Sequence, residues 1–179
     1  MKTRQITLTT GQLLTVPQGI QRLDSMSTRG WQVRYQGTKY FADGAAGPER
    51  SLQAATRELM NRIATLPAPV SLRRKPTSGK STGLPAGISG PIVQNNPESG
   101  AQAAVLSVLV PRFGEVNQVK SIYIGSPQTY TKTRYRQALA KAIELRTESV
   151  AVYEAAATKA KRRAASAVKK ELAAIRSGA

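Results

Sequence analysis

Cysteine and histidine are both absent from this chain of 179 residues. Their absence excludes disulfide bonds, zinc sites built from Cys and His, thiol nucleophiles and histidine general bases. Acidic residues are also scarce, with 10 Asp and Glu in total, and no pair of them has a spacing that suggests acid–base catalysis. The composition therefore argues against an enzyme, and we expect neither a cofactor nor a metal ion.

Long apolar runs are lacking too, since the longest, near residues 103–110, is too short to span a bilayer. The first residues do not lead into the apolar segment of a signal peptide. Aromatic residues form only 5% of the chain, so any one hydrophobic core is expected to be modest. These features predict a cytoplasmic or nucleoid-associated protein without a membrane partner.

What the sequence has in excess is positive charge, with 27 Lys and Arg and a formal net charge of +17. Such a charge on a soluble chain favours a polyanionic partner, because each Lys or Arg that meets a phosphate releases condensed counterions. Nucleic acid is therefore the expected partner. The alternative at this point is a basic surface that serves a structural RNA complex, or one that has no dedicated partner.

Residues 1–66 predict one small unit of strands followed by a helix. Residues 1–16 alternate apolar and polar side chains around Gly11 and predict a short hairpin, or else an ordered arm packed on the unit. In a later strand, alternation separates two sets of side chains: Trp31, Val33 and Tyr35 on one face, and Gln32, Arg34 and Gln36 on the other. A stripe at helical spacing then comprises Leu52, Ala55, Leu59 and Ile63. We expect the first set and this stripe to form the core between sheet and helix.

Residues 67–84 predict a linker, because proline, serine and glycine interrupt any apolar period. The cations of this linker are Arg73, Arg74, Lys75 and Lys80. They belong either to a solvated spacer or to a set of phosphate contacts.

Residues 85–150 predict a second, degenerate copy of the first unit. An opening segment, two strands and a helix recur in the same order, which favours an internal duplication. The matching segments are 16–20 with 84–88, 31–35 with 106–110, 39–42 with 122–125, and 52–55 with 136–139.

The helical pattern that begins near Arg136 continues through residues 151–179, without a Gly or Pro before Gly178. This tail is rich in Ala and in cations, namely Lys159, Lys161, Arg162, Arg163, Lys169 and Lys170. Because its apolar positions are mostly Ala, we expect it to bury little and to contact phosphates. Both folded units are expected to survive its deletion after Glu154. The alternative is that Val168, Leu172 and Ile175 dock on an apolar sheet face.

Several features of residues 17–66 follow one another in a characteristic order: Gly19-Ile20, a basic polar turn, Trp31-Gln32-Val33-Arg34-Tyr35, a second turn, Lys39-Tyr40-Phe41, and a helix with Ala54-Ala55. With them the first unit resembles the Apetala-two / ethylene-response-factor DNA-binding domain of plant transcription factors, which also occurs more loosely in bacterial and phage proteins. Residues 85–150 resemble it weakly. The resemblance implies a three-stranded antiparallel sheet packed on one helix, with the open face of the sheet in the major groove of DNA.

Carried over to this chain, the resemblance implies DNA-facing residues at Gln32, Arg34, Gln36 and Tyr40, with Arg22, Arg29 and Lys39 beside them. Their chemistry agrees, because Arg can bridge the acceptors of guanine, Gln can read adenine, and Tyr can touch sugar, phosphate or a thymine methyl. In the second unit Ser107, Leu109 and Pro111 replace the donors, while Tyr123 matches Tyr40 and Arg112 and Lys120 lie nearby in sequence. The second open face is expected either to read DNA weakly or to pack against protein.

The sequence thus predicts an α+β protein of two small units, each a three-stranded antiparallel sheet packed on one helix, with a long basic C-terminal helix. The expected function is sequence-preferring binding of double-stranded DNA, in transcriptional regulation or DNA architecture, with linker and tail as phosphate clamps. The alternative is a structural or accessory RNA-binding protein of a ribonucleoprotein. A homodimer, through the C-terminal helix or the second sheet face, is a further expectation.

Overall fold

The computed structural model describes residues 1–76, 82–96 and 100–177 of the chain. It is an α+β structure with three antiparallel sheets, of two, three and three strands, and a long C-terminal helix. The chain divides into two compact units. Unit 1 comprises Met1–Pro69 together with Ala157–Ala179, and unit 2 comprises Val70–Ala156.

Unit 1 begins with the predicted hairpin, in which β1 (Thr3–Thr7) pairs antiparallel with β2 (Leu13–Pro17). Three further strands form a separate sheet in sequence order: β3 (Ile20–Asp24), β4 (Arg29–Arg34) and β5 (Thr38–Ala42). A short 3₁₀ turn leads into helix α1 (Gly47–Thr65), which has a proline in its first turn. Proline suits this position because its missing N–H would have no intrahelical acceptor there.

The core of unit 1 lies between the three-stranded sheet and α1. Trp31 and Val33 are fully buried, whereas Arg34, the next residue of β4, is exposed. The helical stripe predicted to face the sheet is buried along its length, at Leu52, Ala55, Leu59 and Ile63. Trp31 donates a hydrogen bond from Nε1 to the carbonyl of Pro48, 2.8 Å away, which satisfies its polar atom inside the core. The predicted separation of the two faces of β4 is confirmed.

The C-terminal part of the long helix α2 (Lys132–Ser177) belongs to unit 1. Ala165 lies in the core of this unit, and Val168 is only 2% exposed. Nearby, Arg162 donates from Nε to the carbonyl of Ile63 at 3.3 Å. The expectation that this segment buries little is therefore wrong. The small side chains of this helical segment let it approach the rest of unit 1 closely. Ala157, Ala165 and Val168 are buried as a result.

Unit 2 contains the third sheet, formed in sequence order by β6 (Ile88–Asn95), β7 (Gln102–Val110) and β8 (Gln118–Gly125). One face of this sheet packs against the first part of α2. The buried residues of this core are Leu84, Ile88, Leu106, Val108, Ile124, Ala138 and Ala142. A bulge interrupts the pairing of β6 with β7 between Ser89 and Ile92.

A buried cation ties α2 to the sheet of unit 2. Arg146 is nine-tenths buried, and its Nη1 donates to the carbonyl of Leu109 at 2.5 Å. Desolvation lowers the pKa of the Arg146 guanidinium, which stays charged at neutral pH because arginine titrates far above it. Gly87 makes room for this side chain, since a Cβ there would lie 2.6 Å from Nε of Arg146. With a φ of +84° as well, position 87 is restricted to glycine by both packing and backbone conformation.

The two three-stranded sheets share a hydrogen-bond pattern where each begins. In unit 1 the N–H of Arg34 donates to the carbonyl of Gly19, and in unit 2 the N–H of Leu109 donates to the carbonyl of Gly87, both at 2.8 Å. Both glycines have a positive φ, +106° and +84°. Leu109 thus occupies the position of Arg34, in agreement with the segment match predicted from the sequence.

The match predicted for the last strand is wrong by two residues. Gln32 pairs with Tyr40 in unit 1, whereas Ser107, which corresponds to Gln32, pairs with Ser121 and not with Tyr123. A shift of two residues keeps every side chain on its own face, because the alternation along a strand has a period of two. The alternation of apolar and polar residues therefore could not reveal this two-residue shift of β8.

Candidate nucleic-acid interface

The candidate site is the side of the β3–β4–β5 sheet that faces away from α1. Residues paired across neighbouring strands point to the same side of a sheet, and so do alternate residues along one strand. Arg34 is exposed, and it marks this side of the sheet. The residues that lie on the same side are Gln21 and Leu23 of β3, Gly30, Gln32 and Arg34 of β4, and Thr38, Tyr40 and Ala42 of β5. We call this set the outer face. None of its residues is acidic.

Arg34 and Gln32 form the polar centre of the outer face. The Nε of Arg34 donates to Oε1 of Gln32 at 2.6 Å, which fixes the guanidinium beside the amide. Gln32 pairs with Gln21 on one side and with Tyr40 on the other, so these three residues form one row across the strands. One guanidinium, two amides and a phenol in this arrangement can donate to base edges and accept from them.

Tyr40 completes this row on β5 and is 39% exposed. Its ring lies over Gly30, where an added Cβ would be 2.7 Å from the Tyr40 hydroxyl and 2.2 Å from the carbonyl oxygen of Phe41. The lack of a side chain at residue 30 therefore allows the ring to lie across β4 while it remains partly exposed.

Gly30→Ala is expected to lower the free energy of unfolding by about 1–3 kcal/mol, the usual cost of overpacking. The added methyl group meets the backbone carbonyl of Phe41, which cannot rotate away, and it displaces the ring of Tyr40. Denaturant unfolding of the variant measures the effect. An unchanged midpoint would show that β4 and β5 separate here without cost.

Arg22, which was predicted to flank the DNA-facing residues, lies on the inner side of the sheet. It pairs in register with Trp31, and its guanidinium carbon is 5.1 Å from the centroid of that ring. Its Nη1 is 2.7 Å from Oδ2 of Asp43, whose other oxygen accepts a hydrogen bond from Ser51 at 2.6 Å. With a side chain that is 12% exposed and held in this way, Arg22 is not available to a phosphate. Alternation counted from buried Ile20 gives the same inward position.

Three other predicted residues surround the outer face without belonging to it. Arg29, at the start of β4, keeps a side chain that is 68% exposed, with Nε in an ion pair of 3.5 Å. Lys39 pairs with buried Val33 and therefore lies on the side of the sheet that faces α1, where it forms an ion pair of 3.4 Å with Glu58. Gln36 lies in the turn after β4, and its amide donates to a backbone carbonyl at 3.3 Å. The Arg29 side chain is more exposed than that of Lys39, which is 52% exposed.

Glu58 stays ionised because it is surrounded by cations. The hydrogen bond from Arg62 is the main cause that lowers the pKa of Glu58, and Lys39 adds to the effect. Because the folded-state pKa is lowered, the stability that this carboxylate contributes is present at neutral pH and is lost on acidification through that pKa. Arg62 also donates to the carbonyls of Tyr35 and Gly37, each at 3.1 Å. Arg62, held in place by Glu58, therefore links α1 to the turn between β4 and β5.

The three described cations of the linker are exposed, and two of them also interact within the chain. Arg74 forms an ion pair of 2.6 Å with Glu154 of α2, and Arg73 also has an interaction within the chain. Lys75 is exposed. Lys80 lies outside the described residues. Lys75 is thus the described linker cation best placed to contact a phosphate.

The cations in the C-terminal part of α2 mostly remain in solvent, although this part of the helix packs within unit 1. Lys161 is half-buried, and Arg162 is exposed but donates to the carbonyl of Ile63. The other predicted phosphate-contacting residues of this helix are exposed: Lys159, Arg163, Lys169 and Lys170. Docking through small side chains therefore leaves the positive side of the helix accessible.

The outer face of the sheet in unit 2, meaning the side that carries Leu109, is mostly apolar, as predicted, although Ser107 and Ser121 also lie on it. The exposed apolar side chains on it are Ile92, Leu109, Val119 and Tyr123. Arg112 is paired with Glu115 at 2.7 Å, and Lys120 has the parity of buried Val108, with which it pairs. Pro111, predicted to lie on this face, is buried beyond the end of β7. This face has no guanidinium on its strands, and its one amide is that of Gln94, which pairs with Ala103 at the far end of β7 from Leu109.

Sequence reasoning missed Gln21, the second amide of the outer face, and two cations beside that face. Gln21 pairs with Gln32, and alternation counted from Ile20 would have found it. Lys2 and Arg4 border a groove next to β3. Nothing in the sequence pattern of the hairpin places these two residues there, because the position of the hairpin depends on tertiary packing.

Within the ranges that the structure describes, no cluster of carboxylates is placed to hold a metal ion. No helix in those same ranges has the length and apolar character needed to cross a membrane. Compared with protein-family models, with curated proteins and with solved structures, the chain matches none of them.

Proposed function

We propose that this protein binds double-stranded DNA with a sequence preference, through the outer face of unit 1, in transcriptional regulation or DNA architecture. The observation that carries the proposal is the row of Gln21, Gln32 and Tyr40, with Arg34 beside it, on a sheet face without a carboxylate. The net charge of +17 supports it, because such a charge draws the chain towards a polyanion.

The chemistry of this row suits the base edges of the major groove. Arg34 can donate two hydrogen bonds to N7 and O6 of guanine, and Gln32 or Gln21 can pair bidentately with adenine. The opposite side of the sheet is packed on a core, so these side chains project from rigid strands and keep their spacing. The resemblance of residues 17–66 to the Apetala-two domain supports the same face of the same sheet.

Cations outside the row supply affinity that does not depend on sequence. Exposed cations on α2, with Lys159 and Lys170 as examples, release counterions from the DNA backbone whatever the bases are. Specificity is thus assigned to the outer face, and part of the affinity to the helix. A nucleoid-associated location agrees with this role, and no catalytic activity is needed for it.

We also infer that unit 2 derives from a duplication of the sheet–helix unit. The equivalent bonds from Arg34 to Gly19 and from Leu109 to Gly87 support this inference, together with the repeated order of elements. Since leucine replaces arginine at the centre of its outer face, we assign sequence preference to unit 1 alone.

Competition binding separates this proposal from RNA binding. The full-length protein is bound to labelled duplex DNA, and unlabelled duplex DNA, structured RNA or single strands are added at one fixed salt concentration. The proposal expects duplex DNA to compete best. Stronger competition by structured RNA would replace it with an RNA-binding function.

Arg34→Ala is expected to cost about 1–3 kcal/mol of specific binding and to relax the preference at one base position. Folding should be unchanged, because the Arg34 side chain is exposed. Affinities for a selected duplex and for its single-base variants measure both effects. Arg50→Ala is the matched control, since Arg50 is an exposed arginine of α1, on the opposite side of the sheet. Equal effects of the two substitutions, or an unfolded Arg34→Ala protein, would contradict the assignment.

A further inference from the structure

A groove beside β3 is lined by cations and amides, of which the proposed function uses Gln21 and Arg34 but neither Lys2 nor Arg4. Its border includes Lys2 and Arg4 of the N-terminal hairpin, Gln18, Gln21 and Arg34, around a cavity of about 430 Å³. None of the lining residues is acidic. Like charges around one depression repel one another, so an anion that enters relieves the repulsion and is attracted by all three cations.

Hydrogen bonds hold this groove in shape. The Nη2 of Arg4 donates to the carbonyl of Ile20 at 3.0 Å, which leaves the other N–H groups of the guanidinium for a ligand. The N–H of Gln18 donates to the carbonyl of Lys2 at 2.8 Å. The bond from Arg4 therefore joins the hairpin to the edge strand β3, the bond from Gln18 holds the two ends of the hairpin together, and Arg4 is positioned before any ligand arrives.

The groove lies where a sheet in the major groove would meet the DNA backbone. Neighbouring strands are about 4.8 Å apart, so β3, β4 and β5 span about 10 Å, close to the major-groove width of about 12 Å. Phosphates line both walls of that groove, and an element just beyond an edge strand therefore faces them. Lys2 and Arg4 are beyond β3, whereas at the β5 edge Lys39 is paired with Glu58.

We propose that Lys2 and Arg4 bind one backbone phosphate of double-stranded DNA in the groove beside β3, while Arg34 at its border contacts a base. This inference rests on the proposed function and deepens it. The phosphate contact carries no sequence information, but it fixes how the outer face is seated against the bases.

Lys2→Ala and Arg4→Ala test the inference in the full-length protein, with a preferred duplex and an unrelated duplex as probes. Each substitution is expected to weaken binding to both duplexes several-fold and by equal factors. Each should also reduce the slope of log affinity against log salt, by at most about 0.9, because the two side chains share a single phosphate contact. Arg4→Lys keeps the charge and should recover most of the lost affinity, and Arg50→Ala serves as the charge control.

The outcomes separate the two proposals. If Lys2→Ala and Arg4→Ala behave like Arg50→Ala while Arg34→Ala still alters the preference, the groove is not a phosphate site and the proposed function stands. If the wild-type protein binds no duplex DNA, both proposals fail. If Arg4→Ala does not fold, because it also loses its bond to Ile20, Lys2→Ala decides alone.

Discussion

Replacing Trp31 with alanine is expected to lower the free energy of unfolding of unit 1 by about 3–5 kcal/mol, the usual cost of emptying an aromatic core site. The side chain is fully buried between the sheet and α1, and its indole N–H is bonded to the carbonyl of Pro48. The substitution also removes the ring over which Arg22 lies, so that Arg22 keeps its carboxylate partners alone. Denaturant unfolding followed by circular dichroism measures the change.

Met26→Ala is the control for Trp31→Ala, because Met26 is a large apolar residue that is fully exposed. The unfolding midpoint of the Met26→Ala protein should match that of the wild type. A Trp31→Ala protein that is as stable as the wild type and has lost only DNA affinity would make Trp31 a DNA-contacting residue. That result would overturn the assignment of the two faces of β4.

Deletion of the residues after Glu154 is expected to destabilise unit 1 by about 2–4 kcal/mol and to weaken binding to every duplex. A buried valine side chain contributes about 1.5–3 kcal/mol, and the deletion removes Val168 together with buried Ala157 and Ala165. Unit 2 keeps the part of α2 that carries Ala138 and the other helical residues of its core, and should stay folded. Urea unfolding of the truncated and full-length proteins measures the loss in unit 1.

A charge variant separates the two effects of this deletion. It carries Gln at the exposed cations Lys159, Arg163, Lys169 and Lys170 and leaves the buried stripe intact. Its stability should equal that of the wild type, while its affinity falls alike for all duplexes. The salt slope should decrease by about 0.9 for each phosphate contact that is lost. A truncated protein as stable as the full chain would make the helix dispensable for folding, and an unchanged slope in the charge variant would exclude α2 from DNA contact.

Local periodicity determined the inside and the outside of unit 1. Alternation placed Trp31 and Val33 in the core and Arg34 in solvent, and helical spacing identified the buried stripe of α1, including Leu59. These predictions succeeded because side-chain direction follows from the geometry of a single strand or helix, whatever the rest of the chain does. The same rule, counted from Ile20, separates Gln21 from Arg22, so this part of the candidate site was also within reach of the sequence.

Tertiary structure alone decided strand register and the docking of distant segments. Ser121 and Tyr123 lie on the same face, so alternation could not choose which of them corresponds to Tyr40, and only the backbone pairing did. The contact of Arg162 with Ile63 joins positions 99 residues apart. A stripe of alanines is only weakly apolar. The sequence therefore cannot show whether such a helix is solvated or packed against another part of the protein. The burial of the C-terminal helix was therefore set by the shape of unit 1, and no local pattern in the helix itself records it.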